Sequence, residues 1–295
     1  MRDIEYDSFG PWIYEIDETH TMPPVFRDHY NIAECPKMLF KIPVNEERRN
    51  LRPGMNMYRL VVGLYKSYIY ILALSNGQVS ETKIAYDDIE AVANSIDLLE
   101  GIFTLYIGTG MYEIDYNASS AEIMNRVVAI VREELKGTGR PANTPIVRSD
   151  IVEFADNLST LYKNMFMDMK KHEKVITPVL FQKRVDVQYL SNIILYKVVN
   201  FFLQSELLSS MYISLEKELV LISRGNCFNY RRFPVHKKAV YYIPFQTIRT
   251  ITITDSKKYR NISRVSIDIK TNGVHDEPLH GYIGKIHHIA SFHFK

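Results

Sequence analysis

At 295 residues, 46% hydrophobic and 24% charged, the chain is globular in composition and long enough for two domains, each with its own core. Two cysteines, Cys35 and Cys227, exclude a disulfide framework and point to a reducing cytosol. The net charge of +2 conceals an asymmetry: residues 1–150 hold 15 Lys/Arg against 22 Asp/Glu (−7), and residues 151–295 hold 21 against 12 (+9). Such an imbalance fits an acidic partner for the second half, or attraction between the halves.

The first residues carry Asp3, Glu5 and Asp7 and no apolar core of a signal peptide, so a cytoplasmic protein is expected. The longest apolar stretch, 193–203, is interrupted by Lys197 and Asn200 and falls short of the ~20 apolar residues of a bilayer span. A peripheral place at the inner face of a membrane remains open.

Residues 1–56 are broken by Pro11, Pro23, Pro24, Pro36, Pro43 and Pro53. Trp12, Phe26, Tyr30, Leu39 and Phe40 give this part enough apolar surface to pack as an ordered arm (1–37), with a strand near 38–43. Alternation then predicts strands over 57–64, 68–74, 79–86, 89–95, 102–107 and 111–116. Asn76-Gly77 is a tight hairpin signal. Ser119 and Glu122 read as a capping box for a helix with Ile123, Val127, Ile130 and Val131 on one face, closed by Gly137.

Gly137 to Pro145 reads as a linker. A second helix is expected from Asp150, with Phe154, Leu158, Leu161, Met165 and Met169 as its stripe and Pro178 as its outer limit. The segment 190–203 fits a helix or a buried strand equally. Strands follow at 211–215, 219–223, 239–245, 248–254 and 265–270, and a final helix is expected near 279–292.

The chain repeats itself. Lys66-Ser67-Tyr68-Ile69-Tyr70-Ile71 matches Lys217-Glu218-Leu219-Val220-Leu221-Ile222 at an offset of 151. Ile84, Tyr86, Ile89 and Val92 match Ile243, Phe245, Ile248 and Ile251 at 159, and Ile123, Met124 and Val127 meet Tyr282, Ile283 and Ile286 at the same 159. A period this long implies duplicated domains rather than a solenoid. The expected boundaries are 1–37 for the arm, 38–136 for a first domain, 137–179 for linker and bridging helix, and 180–295 for a second domain.

A strand run closed by one helix resembles the pleckstrin-homology (PH) fold. Ile84-Ala85-Tyr86-Asp87-Asp88-Ile89 and Ile243-Pro244-Phe245-Gln246-Thr247-Ile248 are similar to a strand motif of bacterial PH-like domains. The resemblance implies an α+β protein of two PH-like β-barrel or sandwich domains, each closed by a C-terminal amphipathic helix and joined by the bridging helix. It implies a non-enzymatic binding or scaffolding module without cofactors, acting on an unknown protein partner.

The offsets place an insertion between Ser223 and Ala239. It holds Arg224, Arg231, Arg232, Lys237 and Lys238 with Phe228, Tyr230, Phe233 and His236 among them, and no Asp or Glu occurs over 219–254. Cations interleaved with aromatics could hold anionic lipid headgroups, at ~1 kcal/mol per cation near the surface. The alternative is a solvated hairpin that answers the acidic first half, which is the simpler reading. Nucleic acid is a weaker use of this loop, given the low overall charge.

His275, His280, His287, His288 and His293 lack the three- or four-residue spacing of helical metal ligands, so no metal site is expected. Asp87-Asp88 and Glu133-Glu134 give no general acid–base pair. Gly108-Thr109-Gly110 lacks the third glycine of a dinucleotide loop and reads as a turn. Nothing in the residues motivates an enzyme whose site lies between the domains.

Overall fold

The computed structural model describes residues 6, 9–108, 110–137, 159–190, 205–225, 227–230, 234–257, 259–260, 262–269 and 279–284. The chain divides into two compact units: Met1–Ile89 with Leu99–Phe103 and Glu113–Thr138, and Glu90–Leu98 with Thr104–Tyr112 and Gly139–Lys295.

In the first unit, β1 (Tyr14–Glu15) and α1 (Pro24–Arg27) belong to the arm. They are followed by β2 (Met38–Pro43), β3 (Tyr58–Leu64), β4 (Tyr68–Ser75) and β5 (Gln78–Ala85), which form an open antiparallel sheet in the order β1-β2-β3-β4-β5. Asn76 and Gly77 turn the β4–β5 hairpin with φ of 51° and 77°, as a two-residue turn with both φ positive requires.

One face of this sheet carries Val61, Tyr65, Tyr68, Tyr70 and Leu72 against Phe9, Phe26 and Leu51 of the loop-rich segment. Tyr65 and Tyr68 stack at 4.8 Å, and the hydroxyls of Tyr30 and Tyr65 share a hydrogen bond of 2.5 Å. Lys41 is only 2% exposed, yet its ammonium donates to the Thr21 carbonyl at 2.9 Å and lies over the Tyr58 ring. Aromatic tips that each find a polar partner explain why a tyrosine-rich face stays buried.

A 3-10 turn, Tyr86–Asp88, leads to β6 (Ile89–Asp97), β7 (Glu100–Ile107) and β8 (Gly110–Asn117), and the helix α2 (Ala121–Gly137) follows. α2 buries Met124, Val127, Val128, Val131 and Leu135. Its start differs from the expected capping box. The Asn117 side chain accepts from Ser119 N, a 3-10 turn (Ala118–Ser120) comes first, and Ser120 Oγ accepts from Ile13 N of the arm at 2.8 Å.

The second unit opens with α3 (Thr160–His172), with Ser159 at its N-cap position, and β9 (Ile176–Gln182). The helix start expected at Asp150 lies outside the described residues. So does most of the ambiguous 190–203 segment. Pro178, expected as the outer limit of the helix, is not reached, since the helix stops at His172. It sits inside β9, where the register shifts between Tyr212 and Ile213, the edge-strand bulge in which proline is tolerated.

Two short strands, β10 (Val185–Asp186) and β11 (Gln188–Tyr189), come next, then β12 (Ser205–Leu207), β13 (Ser210–Leu215), β14 (Glu218–Ser223), β15 (Phe228–Tyr230) and β16 (Lys238–Pro244). A 3-10 turn, Phe245–Thr247, leads to β17 (Ile248–Asp255), β18 (Tyr259–Arg260), β19 (Ile262–Ile269) and β20 (Leu279–Gly284). Within this unit β6 is hydrogen-bonded to β16, and the order continues β6-β16-β14-β13-β9. Residues 104–112 of β7 and β8 lie beyond β6.

Side chains alternate cleanly across this sheet. Tyr212, Leu219, Leu221 and Ile243 face Val265, Ile267 and Ile269 of the sheet β17-β19-β20. Met211, Ile213, Val220, Ile222 and Val240 face Tyr162, Met165, Phe166 and Met169 of α3. The period of two sends alternate residues into two different cores.

Three expectations are corrected. Among the described residues the sheets are open and not closed barrels, and the structure is mixed α+β and mostly sheet. The final helix expected from Leu279 is a strand over Leu279–Gly284, paired with β19; residues 285–292 lie outside the described residues. The third block of the repeat fails with it, because Tyr282 and Ile283 are in a strand where Ile123 and Met124 are helical.

The register also revises the repeat. Ile69 pairs with Ile84, and Leu219 pairs with Ile243. Ile69 therefore corresponds to Leu219 at an offset of 150, not 151, while the later block keeps 159. The second hairpin is longer by nine residues. Among the described residues, no helix is long and apolar enough to cross a membrane.

Candidate functional site

The first unit holds a cleft of about 710 Å³. Residues 9–12 of the arm, the 42–48 segment after β2, the start of β7 and the end of β8 line it. Its apolar wall includes Trp12, Pro11, Ile42 and Leu99, and Trp12 and Leu99 are 47% and 66% exposed. Two close approaches fix this wall. A methyl group on Gly10 would stand 2.0 Å from Trp12 Cζ3, and one on Gly101 would stand 2.3 Å from Tyr116 Cζ, so each ring lies directly on a glycine.

The charged lining of the cleft is Arg48 and Arg59 with the carboxylates of Glu46, Glu100 and Asp115. The Arg59 guanidinium pairs with the Asp115 carboxylate at 3.0 Å and donates to the Asp115 carbonyl, while Nε–H is buried with no hydrogen-bond partner among the described residues. The cleft thus joins an exposed indole and leucine with a guanidinium paired to Asp115.

The second unit holds a smaller notch of about 380 Å³, lined by Lys183, Arg184 and Arg224 with Tyr162, Phe181 and Ser209. Tyr162 is buried and its hydroxyl donates to the Ser209 carbonyl. Burial raises the hydroxyl above the ordinary tyrosine value, while the Ser209 hydrogen bond and the charges of Arg224 and Arg184 pull it back. Arg184 also lies 3.5 Å from the buried carboxylate of Glu206, which offsets part of its charge.

Of the five cations expected to act together, Arg224, Lys237 and Lys238 are described. Arg224 lines the notch and donates to the Val235 carbonyl. Lys237 packs over Gly225, where a methyl group would stand 2.5 Å from its Cδ. Lys238 is half-buried in β16, opposite Ile96. Arg231 and Arg232 lie outside the described residues. The insertion is more than a solvated hairpin, since its β15 pairs with β12 and Phe228 packs on the cluster of Val187, Leu207 and Ile262.

Asp87 and Asp88 are in the 3-10 turn rather than a regular strand. Among the described residues no group of three His, Cys, Asp or Glu is placed to hold a metal ion. Of the five C-terminal histidines only His280 is described, in β20.

Sequence reasoning missed both hollows. Consecutive apolar residues at a strand turn, Leu98-Leu99, were the available signal for the cleft. Trp12 was expected inside and is half out. No protein-family model matches the chain, and no curated protein is significantly similar to it.

Proposed function

We propose that the protein is a non-catalytic binding protein of two PH-like repeats, and that the Trp12–Leu99 cleft docks an extended protein segment. The order of elements supports the PH-like reading. In the first repeat four antiparallel strands, a 3-10 turn, three further strands and α2 follow one another; in the second, β9, β13, β14 and β16, a 3-10 turn and β17, β19 and β20 keep that order with the short strands β10, β11, β12, β15 and β18 interposed. Cys35 and Cys227 are not joined in a disulfide.

The observation that carries the docking role is the pair of large apolar side chains held outward beside Arg59. An apolar segment with one carboxylate suits that wall and its guanidinium. Trp12 is the only tryptophan in the chain, so its fluorescence reports on this cleft alone. An array of extended apolar peptides, each with one carboxylate, should contain members that shift Trp12 emission saturably. Leu99→Ser and Arg59→Met should each abolish that shift. An array that leaves the emission unmoved throughout removes the reading.

A second reading rests on the notch. Lys183 and Arg184 of the β9–β10 loop meet Arg224, just past β14, in its lining, which suits an anionic lipid headgroup at a membrane surface. The full chain should then sediment with phosphatidylserine vesicles at low salt, and Lys183→Ala with Arg224→Ala should release it. Absence of sedimentation at low salt ends this alternative.

A further inference from the structure

Among the described residues the joint between β6 and β16 occurs once, and the counterparts of both strands are left without it. Its register pairs Val92 with Tyr242, Ala93 with Tyr241, Asn94 with Val240, Ser95 with Ala239 and Ile96 with Lys238, all antiparallel. β6 follows the turn Tyr86–Asp88, and β17 follows the matching turn Phe245–Thr247, so β17 is its counterpart in the second repeat. β5 precedes the first turn as β16 precedes the second, so β5 is the counterpart of β16.

Both counterparts are edge strands among the described residues. β5 ends the five-stranded sheet, and β17 ends the sheet β17-β19-β20. Residues 250–254 of β17 read Thr-Ile-Thr-Ile-Thr, with high strand propensity and neither proline nor charge. Natural edges are ordinarily blunted by proline or charge; residues 250–254, between Arg249 and Asp255, lack both and are open to strand addition, while β5 has no proline and carries one charge of each sign, Glu81 and Lys83.

We propose that β17 of one copy pairs with β5 of another, repeating the β6–β16 joint and linking copies head to tail. The offset of 159 sets the register: Ile251 opposite Lys83, Thr252 opposite Thr82, Ile253 opposite Glu81 and Thr254 opposite Ser80. Charge supports the polarity, since the half bearing β5 carries −7 and the half bearing β17 carries +9. A head-to-tail contact is heterologous, and it propagates until it closes into a ring or continues as a filament. The inference rests on the strand edges and is independent of the Trp12 cleft.

Two measurements test it. In sedimentation velocity the unaltered chain should show a mean mass that climbs above 34.4 kDa as concentration rises. Added salt should reduce the climb, because the opposing charges are screened. Two further chains, with Cys35→Ser and Cys227→Ala in both, would carry either Thr82→Cys or Thr252→Cys. Mixed and oxidised, they should give a disulfide-linked species of twice the chain mass, while each alone gives none. A chain that stays monomeric at every concentration overturns the proposal. So does cross-linking of the Thr252→Cys chain with itself, which means a symmetric pairing, or association without any cross-link in the mixture.

Discussion

Tyr86 and Phe245 occupy matching places after two hairpins. Each opens a 3-10 turn, and each donates its backbone N–H across the hairpin, Tyr86 to the Ser67 carbonyl at 3.1 Å and Phe245 to that of Lys217 at 3.0 Å. They differ by one atom, the Tyr86 hydroxyl. It is buried with no hydrogen-bond partner among the described residues, and burial, aided by the charge of Glu134, raises it above the ordinary tyrosine range. An unsatisfied buried hydroxyl costs about 1–3 kcal/mol, so Tyr86→Phe, which copies the second repeat, should leave stability unchanged or raise it by about 1 kcal/mol. Denaturant unfolding checks this, and a loss above that size would mean that the hydroxyl has a partner.

Leu98 sits at the β6–β7 turn with φ of 55° and is 67% exposed, so it carries backbone strain without packing in return. Leu98→Asn should stabilise the protein by about 0.5–1 kcal/mol, because asparagine tolerates this conformation. Thermal unfolding will show it. If the melting temperature instead drops, the side chain has a structural partner.

Phe228 and Tyr230 separate a structured insertion from a solvated one. Phe228 packs at 4.7 Å from the Tyr259 ring, whereas Tyr230 is 41% exposed. Phe228→Ala should cost about 2–3 kcal/mol, and Tyr230→Ala about 0.5 kcal/mol or less. Equal costs in a denaturant titration would contradict the packing of β15.

Alkaline pH should weaken the fold. Burial pushes the Tyr70 hydroxyl up to about 12, with its hydrogen bond to Glu81 adding to the effect. Tyr65 and Tyr212 are raised too, burial coming first in both. The folded chain holds these protons more tightly than the unfolded one, whose tyrosines titrate near 10. The stabilising contribution is therefore complete below pH 10 and fades as pH climbs through about 12. Unfolding free energies measured across that interval should decline, and Tyr70→Phe should make the decline shallower.

The strands were readable because alternation and the Asn76-Gly77 turn carry direct steric meaning. The register of the repeat was one residue out for a physical reason. Ile69, Tyr70, Ile71 and Leu72 are all buried, as are their counterparts from Leu219 to Ile222. When both faces of a strand are apolar, a slip of one residue leaves no mismatch in the pattern to betray it. β20 failed differently, since Leu279-His280-Gly281-Tyr282-Ile283-Gly284 is too short to distinguish a period of two from 3.6. The notch and the cleft could not be read at all. Their walls come from positions as distant as Lys183 and Arg224, or Trp12, Arg59 and Leu99, and only the tertiary fold unites them.

The pairing of Asn94 with Val240 also has a bearing on how the chain is made. During translation β6 leaves the ribosome more than a hundred residues ahead of the strand that completes its ladder. Long-range pairings of this kind are slow and leave folding intermediates prone to aggregate. A nascent chain halted after α2 would present that unfilled ladder to its neighbours, which makes the first half a poor object for separate expression and a natural client of a chaperone.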